Sequence, residues 1–514
     1  MSSEKTDRGF GNIKAKIISG VLKGAKVMPF SKKIFKTVQS VPFVQKKIQK
    51  GIDGMMGELF DSIRPYKDQF PVFTKLPEEG RARTEIIGEM EYMRSSEDDR
   101  WKDGFVSGAV YHGDKDHIEF LNKVYALNSQ TNPLHSDLWP STTKFEAEIV
   151  SMTANMMNSD KTEDSITGTV SSGGTESILL AMKSYRDFAE KKRGITSPEM
   201  IVPVSAHAAF DKASQYFKIK MIHVPVDKNF KADVEAARRA ITENTIVMVG
   251  SAPSFPHGIV DPIEEMSEIA RQHGIGFHTD ACLGGFVLPW AEKLGYQVPK
   301  FDFRLPGVTS ISADTHKYGY AAKGTSVILY RGKELQHFQY YKTADWLGGL
   351  YFSPTFAGSR AGALSCACWA AMLSIGKKGY MDATRKILET ADAIKKGIGE
   401  IPELNLMGNP LWVIAFTSKD HNIYKVMDYM TKKKWNLNGL QKPACIHLCI
   451  TLRHTQAGVA ERFIEDLKAA VKYVKKNPDF KGNMAPIYGL VASMPVNDIA
   501  EDFFDSYLDM LYKP

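Results

Sequence analysis

The middle of the chain alternates between short apolar runs and longer stretches with helical periodicity. The short runs, rich in β-branched residues, are Met200–Val204, Met221–Val224, Thr245–Gly250, Ile275–His278, Val308–Ile311 and Thr325–Tyr330. Helical patterns lie between several of them, including Glu176–Lys191 and Pro262–His273. This alternation predicts an α/β fold with a mostly parallel central sheet, in which ligands bind at the carboxyl ends of the strands.

The pattern changes on both sides of this region, so we predict three domains. Residues 1–104 form a basic segment with a helical extension, residues 105–360 a large α/β domain, and residues 361–514 a C-terminal α+β domain. The last domain begins with a long helix that runs through Ser374. Its predicted strands lie near Leu411–Phe416 and His447–Leu452. A chain of 514 residues is too long for a single hydrophobic core.

The composition is that of a soluble globular protein, with 43% hydrophobic and 24% charged residues. No stretch holds the roughly 18 uncharged apolar residues of a membrane span, and the N-terminus lacks the apolar core and cleavage site of a signal peptide. The five cysteines have apolar surroundings, which favours buried thiols in a reducing compartment over disulfides or a metal site. We therefore expect a cytoplasmic protein without a metal centre.

The net charge of +7 is concentrated at the N-terminus, where residues 1–50 hold twelve Lys or Arg against two acidic residues. Apolar residues recur there with helical spacing, for example at Ile13, Ile17 and Val21. Such a segment suits peripheral contact of residues 10–50 with an anionic membrane surface, and packing on the body or on a partner subunit is the equal alternative. We predict no nucleic-acid binding, because neither a basic face interleaved with stacking aromatics nor a known nucleic-acid-binding module is visible.

The stretch Ser310–Gly319 places His316 and Lys317 in a polar turn directly after a predicted strand. A lysine at a strand end can form a Schiff base with a carbonyl cofactor, provided that its surroundings lower its pKa. Pyridoxal 5'-phosphate (PLP) is the usual cofactor in such a setting. Taken alone, Lys317 is better explained as a solvated surface residue, which most lysines at strand ends are.

Three further motifs end or follow predicted strands. Gly173, Gly174 and Thr175, here called the phosphate turn, open a helix whose backbone N–H groups can approach a phosphate. Asp280 follows an apolar strand, where a carboxylate can keep a pyridinium nitrogen protonated or simply cap a helix. His207 ends another strand and can stack on a cofactor ring or serve as an ordinary structural histidine.

Two loops that precede the predicted sheet are rich in aromatic residues and histidine. They span residues 108–113 and 131–140 and contain Tyr111 and His135. Loops of this composition often line functional sites. A packed hairpin tyrosine and a turn histidine are the alternatives.

The words SSGGTES, SAHAAFDKA, HTDACLGGF and SADTHKYGYAAKG occur in this order along the chain. Together they resemble the fold type I PLP-dependent enzymes and, more narrowly, the sphingosine-1-phosphate lyase family, in the group that includes glutamate and aromatic amino-acid decarboxylases. The resemblance runs from about Tyr111 to Thr451 and includes NPLHSDLWPS, GSRAG and WNLNGLQKPACIHLCITL. It departs at Thr279, where family members usually have valine, and at Phe255, where some have a tyrosine hydroxyl.

The resemblance implies a fold type I PLP-dependent transferase-like fold and retro-aldol cleavage of a sphingoid base 1-phosphate to a long-chain aldehyde and phosphoethanolamine. Catalytic residues are then Lys317, Asp280, His207, Tyr111 and His135. Residues that bind PLP are Gly173, Gly174, Thr175, His207, Asp280, His316 and Lys317, with Gly358 and Ser359 contributed across a homodimer. The substrate phosphate contacts Tyr111, His135 and Lys323, and no metal is needed.

Two alternatives stay open at this point. A PLP-dependent amino-acid decarboxylase of the same fold would need a cationic partner for the substrate carboxylate. A non-catalytic scaffold would keep the fold and use its basic N-terminus to bind membranes. Eukaryotic relatives carry a membrane span in the endoplasmic reticulum with the catalytic body in the cytosol, so we expect this chain to face the cytosol too.

Overall fold

The computed structural model describes residues 57, 60, 63–66, 68–97, 99–480, 482 and 497–513 of the 514-residue chain. Contacts divide the chain into two compact units, one of residues 99–482 and one of residues 1–98 with 483–514. The predicted boundaries at 104 and 360 stay predictions. The basic segment of residues 1–50 lies outside the described residues. Among those that are described, no helix is both long and apolar enough to cross a membrane.

The smaller unit contains the helices Arg83–Ser96 and Asn497–Leu511. Arg64 donates a hydrogen bond to the carbonyl of Met510 at 2.6 Å. The helical extension predicted up to residue 104 is therefore helical over residues 83–96, whereas residues 70–82 lie outside helices and strands.

The larger unit is built around a seven-stranded sheet. Its strands are β1 Ile166–Ser171, β2 Glu199–Pro203, β3 Lys220–Val224, β4 Thr245–Ser251, β5 Gly276–Asp280, β6 Ser310–Ala313 and β7 Ser326–Arg331. Its helices are α1 Lys115–Leu127, α2 Pro140–Met156, α3 Gly174–Arg193, α4 Ala209–Phe217, α5 Val234–Arg239, α6 Ile263–Gln272, α7 Leu288–Lys293 and α8 Lys333–His337. The strand order β1-β7-β6-β5-β4-β2-β3 confirms the predicted α/β fold.

The sheet is mostly parallel, as predicted, because β3, β2, β4, β5 and β6 run in one direction. β7 is antiparallel to β6 and pairs with β1, a strand that the sequence analysis did not identify. Ser251 pairs with Asp280, and Asp280 pairs with Ser312, so the carboxyl ends of β4, β5 and β6 lie side by side. This register brings the polar residues that follow these strands to one edge.

Helix α3 fixes the phosphate turn against the sheet. Its inner face carries Ile178, Leu180 and Met182, each at most 1% exposed, and these pack in the same cluster as residues of β2 and β4. The helix ends at Gly194, whose φ of +68° is a conformation that glycine adopts without strain. Because this apolar face is fully buried, the start of α3 is held rigidly at the sheet edge.

The C-terminal part of the larger unit has a second, smaller sheet, as expected. Its elements are helix α9 Gly362–Gly399, strands β8 to β13 at Tyr341–Thr343, Tyr351–Ser353, Leu404–Leu406, Val413–Ser418, Asn438–Leu440 and Cys445–Cys449, and helices α10 Ile423–Lys432 and α11 Val459–Lys476. The four-stranded sheet has the order β10-β11-β13-β12 and is antiparallel throughout. Helix α9 breaks at Gly376, two residues after the predicted end at Ser374. All five cysteines are free and buried, which confirms the prediction of buried thiols.

Candidate active site

A cavity of about 360 Å³ opens at the carboxyl edge of the large sheet. The residues that line it are Ser172, Gly173, Gly174, Thr175, Glu176, Ile178, His207, Pro253, Phe255, Asp280, Cys282, Leu283, Asp314, His316 and Lys317. The structure therefore brings together the phosphate turn, His207, Asp280, His316 and Lys317, which the sequence analysis proposed from four separate motifs.

Lys317 lies in the turn after β6 and forms an ion pair with Asp314. Its Nζ is 2.9 Å from Asp314 Oδ2, and the Asp314 side chain is 2% exposed. Burial disfavours the charge on Lys317, but the neighbouring carboxylate outweighs burial, so the pKa of Lys317 is raised above its usual value. The condition that the surroundings of Lys317 lower its pKa is not met, because an anion is buried next to the amine.

Asp280 occupies the end of β5 and faces the cavity from its buried floor. One carboxylate oxygen accepts hydrogen bonds from the backbone N–H of Cys282 at 3.0 Å and from the Ser312 hydroxyl at 3.4 Å. His278 lies two residues earlier, on the same face of β5, and its ring nitrogens are 2.7 and 3.2 Å from the hydroxyls of Ser310 and Ser312. Burial lowers the pKa of His278 to about 4, so this histidine is neutral and does not compete for the Asp280 carboxylate.

The phosphate turn packs directly on the lysine turn. A Cβ at position 174 would lie 2.7 Å from Asp314 Oδ1 and 2.8 Å from Cys282 Sγ, so only glycine fits there. Glu176 accepts hydrogen bonds from the backbone N–H groups of Ser172 at 2.6 Å and Phe356 at 3.2 Å. The Glu176 carboxylate therefore links the phosphate turn to the backbone at Phe356.

His316 lies beside the phosphate turn, where a Cβ on Gly173 would come within 3.5 Å of its ring. Its Nδ1 donates to the carbonyl of Thr325 at 2.5 Å, which leaves Nε2 toward Asp314 at 3.8 Å. Burial lowers the pKa of His316 more than Asp314 raises it. The imidazole can serve as a second group that binds an anion at the turn when it is protonated.

His207 and Phe255 form another wall of the cavity, with ring centres 6.4 Å apart and planes nearly perpendicular. The Nδ1 of His207 accepts a hydrogen bond from the backbone N–H of Ala209 at 3.1 Å, which orients the ring at the start of α4. The Thr279 hydroxyl is buried and has no hydrogen-bond partner among the described residues. The next residue, Asp280, keeps its strand pairing with Ser312.

Tyr111 and Lys323 lie together beside Lys317. Lys323 Nζ is 4.5 Å from the centre of the Tyr111 ring and donates to the carbonyl of His316 at 3.4 Å. Tyr111 packs edge-on against Tyr318, with ring centres 4.8 Å apart. Burial raises the pKa of Tyr111, so the phenol keeps its proton.

Tyr111 and Lys323 are not among the residues that line the cavity, and neither are the remaining predicted site residues, His135, Gly358 and Ser359. His135 is exposed and packs edge-on against Trp139 at 6.2 Å. Ser359 is exposed and Gly358 half-buried. The backbone N–H of Arg360 and the backbone N–H of Leu134 both donate to the Asn132 side chain, at 3.2 and 3.1 Å. Asn132 thus ties the His135 loop to the turn that contains Ser359.

Asp314 and Glu176 are cavity residues that the sequence analysis missed. Asp314 follows β6 and lies three residues before Lys317, a spacing that places both side chains in one turn. Glu176 follows the phosphate turn in the first turn of α3. The sequence did offer a signal for both residues, because each is an acidic residue within three positions of a motif that had been recognised.

Comparisons with known proteins agree with this geometry. Residues 71–417 match the family model described as the pyridoxal-dependent decarboxylase conserved domain. The chain is 50% identical over 435 residues to the sphingosine-1-phosphate lyase of Arabidopsis thaliana, covering 83% of this chain and 79% of the relative. The chain belongs to the sphingosine-1-phosphate lyase family.

Two other members extend the similarity. Sphingosine-1-phosphate lyase 1 of Mus musculus is 44% identical over 486 residues, which are 94% of this chain and 85% of the relative. The solved structure of the Burkholderia pseudomallei sphingosine-1-phosphate lyase matches with a TM-score of 0.81 and 42% identity, over 87% of this chain and 99% of that one. Membership in this family makes the protein a lyase with PLP as its cofactor.

The cavity fits PLP. Glycine at position 174 leaves a cradle that a single Cβ would fill, at the N-terminus of a 20-residue helix that favours an anion. Asp280, 7% exposed, supplies a buried carboxylate for a protonated ring nitrogen. Lys317 supplies the amine that would hold the aldehyde carbon.

Proposed function

We propose that this protein cleaves sphingoid base 1-phosphates, such as sphingosine and sphinganine 1-phosphate, to a long-chain aldehyde and phosphoethanolamine in sphingolipid catabolism. The observation that carries the proposal is the meeting of Lys317, Asp280 and the phosphate turn in one cavity of a chain from the lyase family. Each of these groups serves a different part of the cofactor, so their convergence is specific.

Some residues of the cavity would bind the cofactor, and others would control its charge. Lys317 would hold the cofactor through Nζ, while the phosphate turn and His316 would bind its phosphate with backbone N–H groups and an imidazole. His207 would lie against the ring, and Asp280 would keep the ring nitrogen protonated. Bound PLP would supply the electron sink for the charge left at C2 of the substrate when the C2–C3 bond breaks.

The substrate brings a second phosphate, so a second group of anion-binding residues is required. We assign this role to Lys323, Tyr111 and His135. Lys323 contributes a positive charge, whereas Tyr111 and His135 contribute directed hydrogen bonds near the phosphate and the 3-hydroxyl. The contact between Lys323 and Tyr111 beside Lys317 supports this assignment.

We also propose a homodimer with shared active sites. The turn of Gly358 and Ser359 would contact the cofactor phosphate of the partner subunit. Residues 341–356, just before this turn, expose several large apolar side chains, a feature typical of an interface. These are Tyr341, Trp346, Leu347, Leu350, Phe352 and Phe356.

Subunit mixing tests the shared site. Lys317→Ala removes the cofactor anchor, and Ser359→Trp blocks the turn offered to the partner, so each variant alone should be inactive. A mixed dimer would contain one site with an intact lysine and an intact turn. Recovered activity on mixing supports sharing, and its absence with both variants folded contradicts it.

A PLP-dependent amino-acid decarboxylase is the second candidate, because the matching family model carries that name. Lys323 would then bind a substrate carboxylate instead of a phosphate. Assays with sphinganine 1-phosphate, glutamate and aromatic amino acids separate the two, with Lys317→Ala as the inactive control. Aldehyde release from the sphingoid phosphate supports the lyase, and carbon dioxide release from an amino acid with no cleavage of the phosphate overturns it.

The non-catalytic scaffold and the location are tested separately. A visible absorption band in protein purified with PLP, absent from Lys317→Ala, excludes the scaffold. We further propose that the catalytic body faces the cytosol and touches membranes peripherally through residues 10–50, since the substrate is an amphiphile.

A further inference from the structure

Asp314 is a buried carboxylate in the cavity that none of the roles assigned above uses. It follows β6, is 2% exposed, and holds Lys317 Nζ at 2.9 Å through Oδ2. Its other oxygen, Oδ1, has no hydrogen-bond partner among the described residues. A buried carboxylate with an unpaired oxygen lowers the stability of the fold, so its presence here calls for an explanation.

Among the groups around this ion pair, Asp314 is the one that carries a negative charge next to Lys317. His316 Nε2 lies 3.8 Å from Oδ2, and the backbone of Gly174 packs against the carboxylate. The other titratable groups that interact electrostatically with Lys317 or Asp314 are Cys282, Cys449, Tyr111 and Lys323. Burial raises the pKa values of the two thiols and of the Tyr111 phenol, so all three are neutral.

We propose that Asp314 is a positioning residue that holds Lys317 as an ammonium group at the base of the cavity until the cofactor enters. The contact fixes the direction of the side chain, and it keeps the nitrogen lone pair protonated and unreactive. Burial alone would favour the neutral amine, and the close carboxylate reverses that preference because attraction between charges is poorly screened in a buried site.

This protonation matters for the chemistry proposed above. A free amine at Lys317 would condense with the long-chain aldehyde product, forming a carbon–nitrogen double bond and releasing water. An ammonium group cannot do so before it loses a proton. Condensation with the PLP aldehyde needs the same loss, and the Asp314 carboxylate at 2.9 Å is the group placed to accept that proton. That consequence, and the choice of Lys317 as the anchor, rest on the proposed function, whereas the state of the lysine does not.

Reductive methylation of the cofactor-free protein measures the state directly. Formaldehyde with dimethylamine-borane modifies free amines, and peptide mass spectrometry reports Lys317 separately from Lys115, whose side chain is 86% exposed. We expect Lys317 to be modified at least about tenfold more slowly than Lys115 at pH 8, since each unit of raised pKa lowers the free-amine fraction about tenfold. Asp314→Asn should raise the rate at Lys317 by at least that factor.

Asp280→Asn is the matched control, because it makes the same chemical change in the same cavity away from Lys317 and should leave the rate at Lys317 unchanged. Equal rates in Asp314→Asn and wild type would overturn the proposal. If Asp314→Asn does not fold, the wild-type pH profiles decide, each scaled to its own highest rate so that the effect of burial cancels. Half of that rate must be reached at a higher pH for Lys317 than for Lys115. Borohydride trapping of PLP tests the anchor independently, so a failed anchor and a failed role for Asp314 give different results.

Discussion

Lys323 Nζ lies 4.5 Å from the centre of the Tyr111 ring, so a cation and a phenol contact each other next to the lysine turn, where Lys323 also donates to the carbonyl of His316. Partial desolvation by the surrounding protein first, and then the charge of Lys317, lower the pKa of Lys323 to about 8, although the side chain stays exposed to solvent. Lys323 is therefore a cation whose charge is lost within an accessible pH range.

The affinity for the phosphorylated substrate should fall as the pH rises through about 8. Lys323 carries its charge below that value and loses it above, while the substrate phosphate stays anionic. Lys323→Ala should weaken binding by about tenfold or more at pH 7, because a hydrogen bond to a charged group contributes ~1.5–3 kcal/mol. Lys323→Arg stays charged and should remove the pH dependence. KM that is flat from pH 7 to 9.5 in the wild type would contradict the assignment.

Tyr111→Phe should lower turnover by about tenfold or more while changing substrate affinity little. The buried phenol keeps its proton at neutral pH, so its hydroxyl can donate to a reacting oxygen. Tyr125→Phe, whose ring is 42% exposed on helix α1, is the control and should behave as the wild type. Separate measurement of kcat and KM checks this, and a loss confined to KM would give Tyr111 a role in binding alone.

Asp280→Asn should retain the cofactor and lose at least about 100-fold in turnover, because an amide cannot keep the ring nitrogen protonated by charge. Its backbone contact to Cys282 uses an oxygen that the amide also has, so the fold should be kept. Absorbance of the bound cofactor and single-turnover rates measure the two effects. Near-normal turnover would show that another group supplies the charge.

Gly174→Ala should reduce cofactor binding and stability together. The added methyl group would lie 2.7 Å from Asp314 Oδ1, and such overpacking costs about 1–3 kcal/mol. Gly399→Ala is the matched control, because a Cβ added there would meet no other part of the protein within 4 Å beyond its own helix and chain neighbours. Thermal unfolding and PLP titration report the two effects, and an alanine variant that binds PLP normally would place the cofactor phosphate elsewhere.

Deletion of residues 1–50 should reduce flotation with anionic liposomes, since this segment holds the basic excess of the chain. The attraction should weaken as salt is raised. Liposomes of neutral lipid are the control for charge. Flotation that is unchanged by the deletion would place the membrane contact in another part of the protein.

The fold followed from the sequence because its signals are local. Short β-branched runs and helical periodicity located β2 to β7 within about two residues of their ends, and the alternation fixed the parallel sheet. β1 was missed because Thr and Gly interrupt its apolar pattern, and its place depends on pairing with β7, about 160 residues away along the chain.

The residue types of the cofactor site were also set by the sequence, since Lys317, Asp280 and the phosphate turn each carry a recognisable motif. Which of these motifs meet was decided by strand register, which aligns Ser251, Asp280 and Ser312 at one edge. The charge state of Lys317 was decided there too. Asp314 is three residues away in sequence, but only the tertiary structure removes it from water, and in a buried site its attraction for the ammonium outweighs the cost of burying that charge.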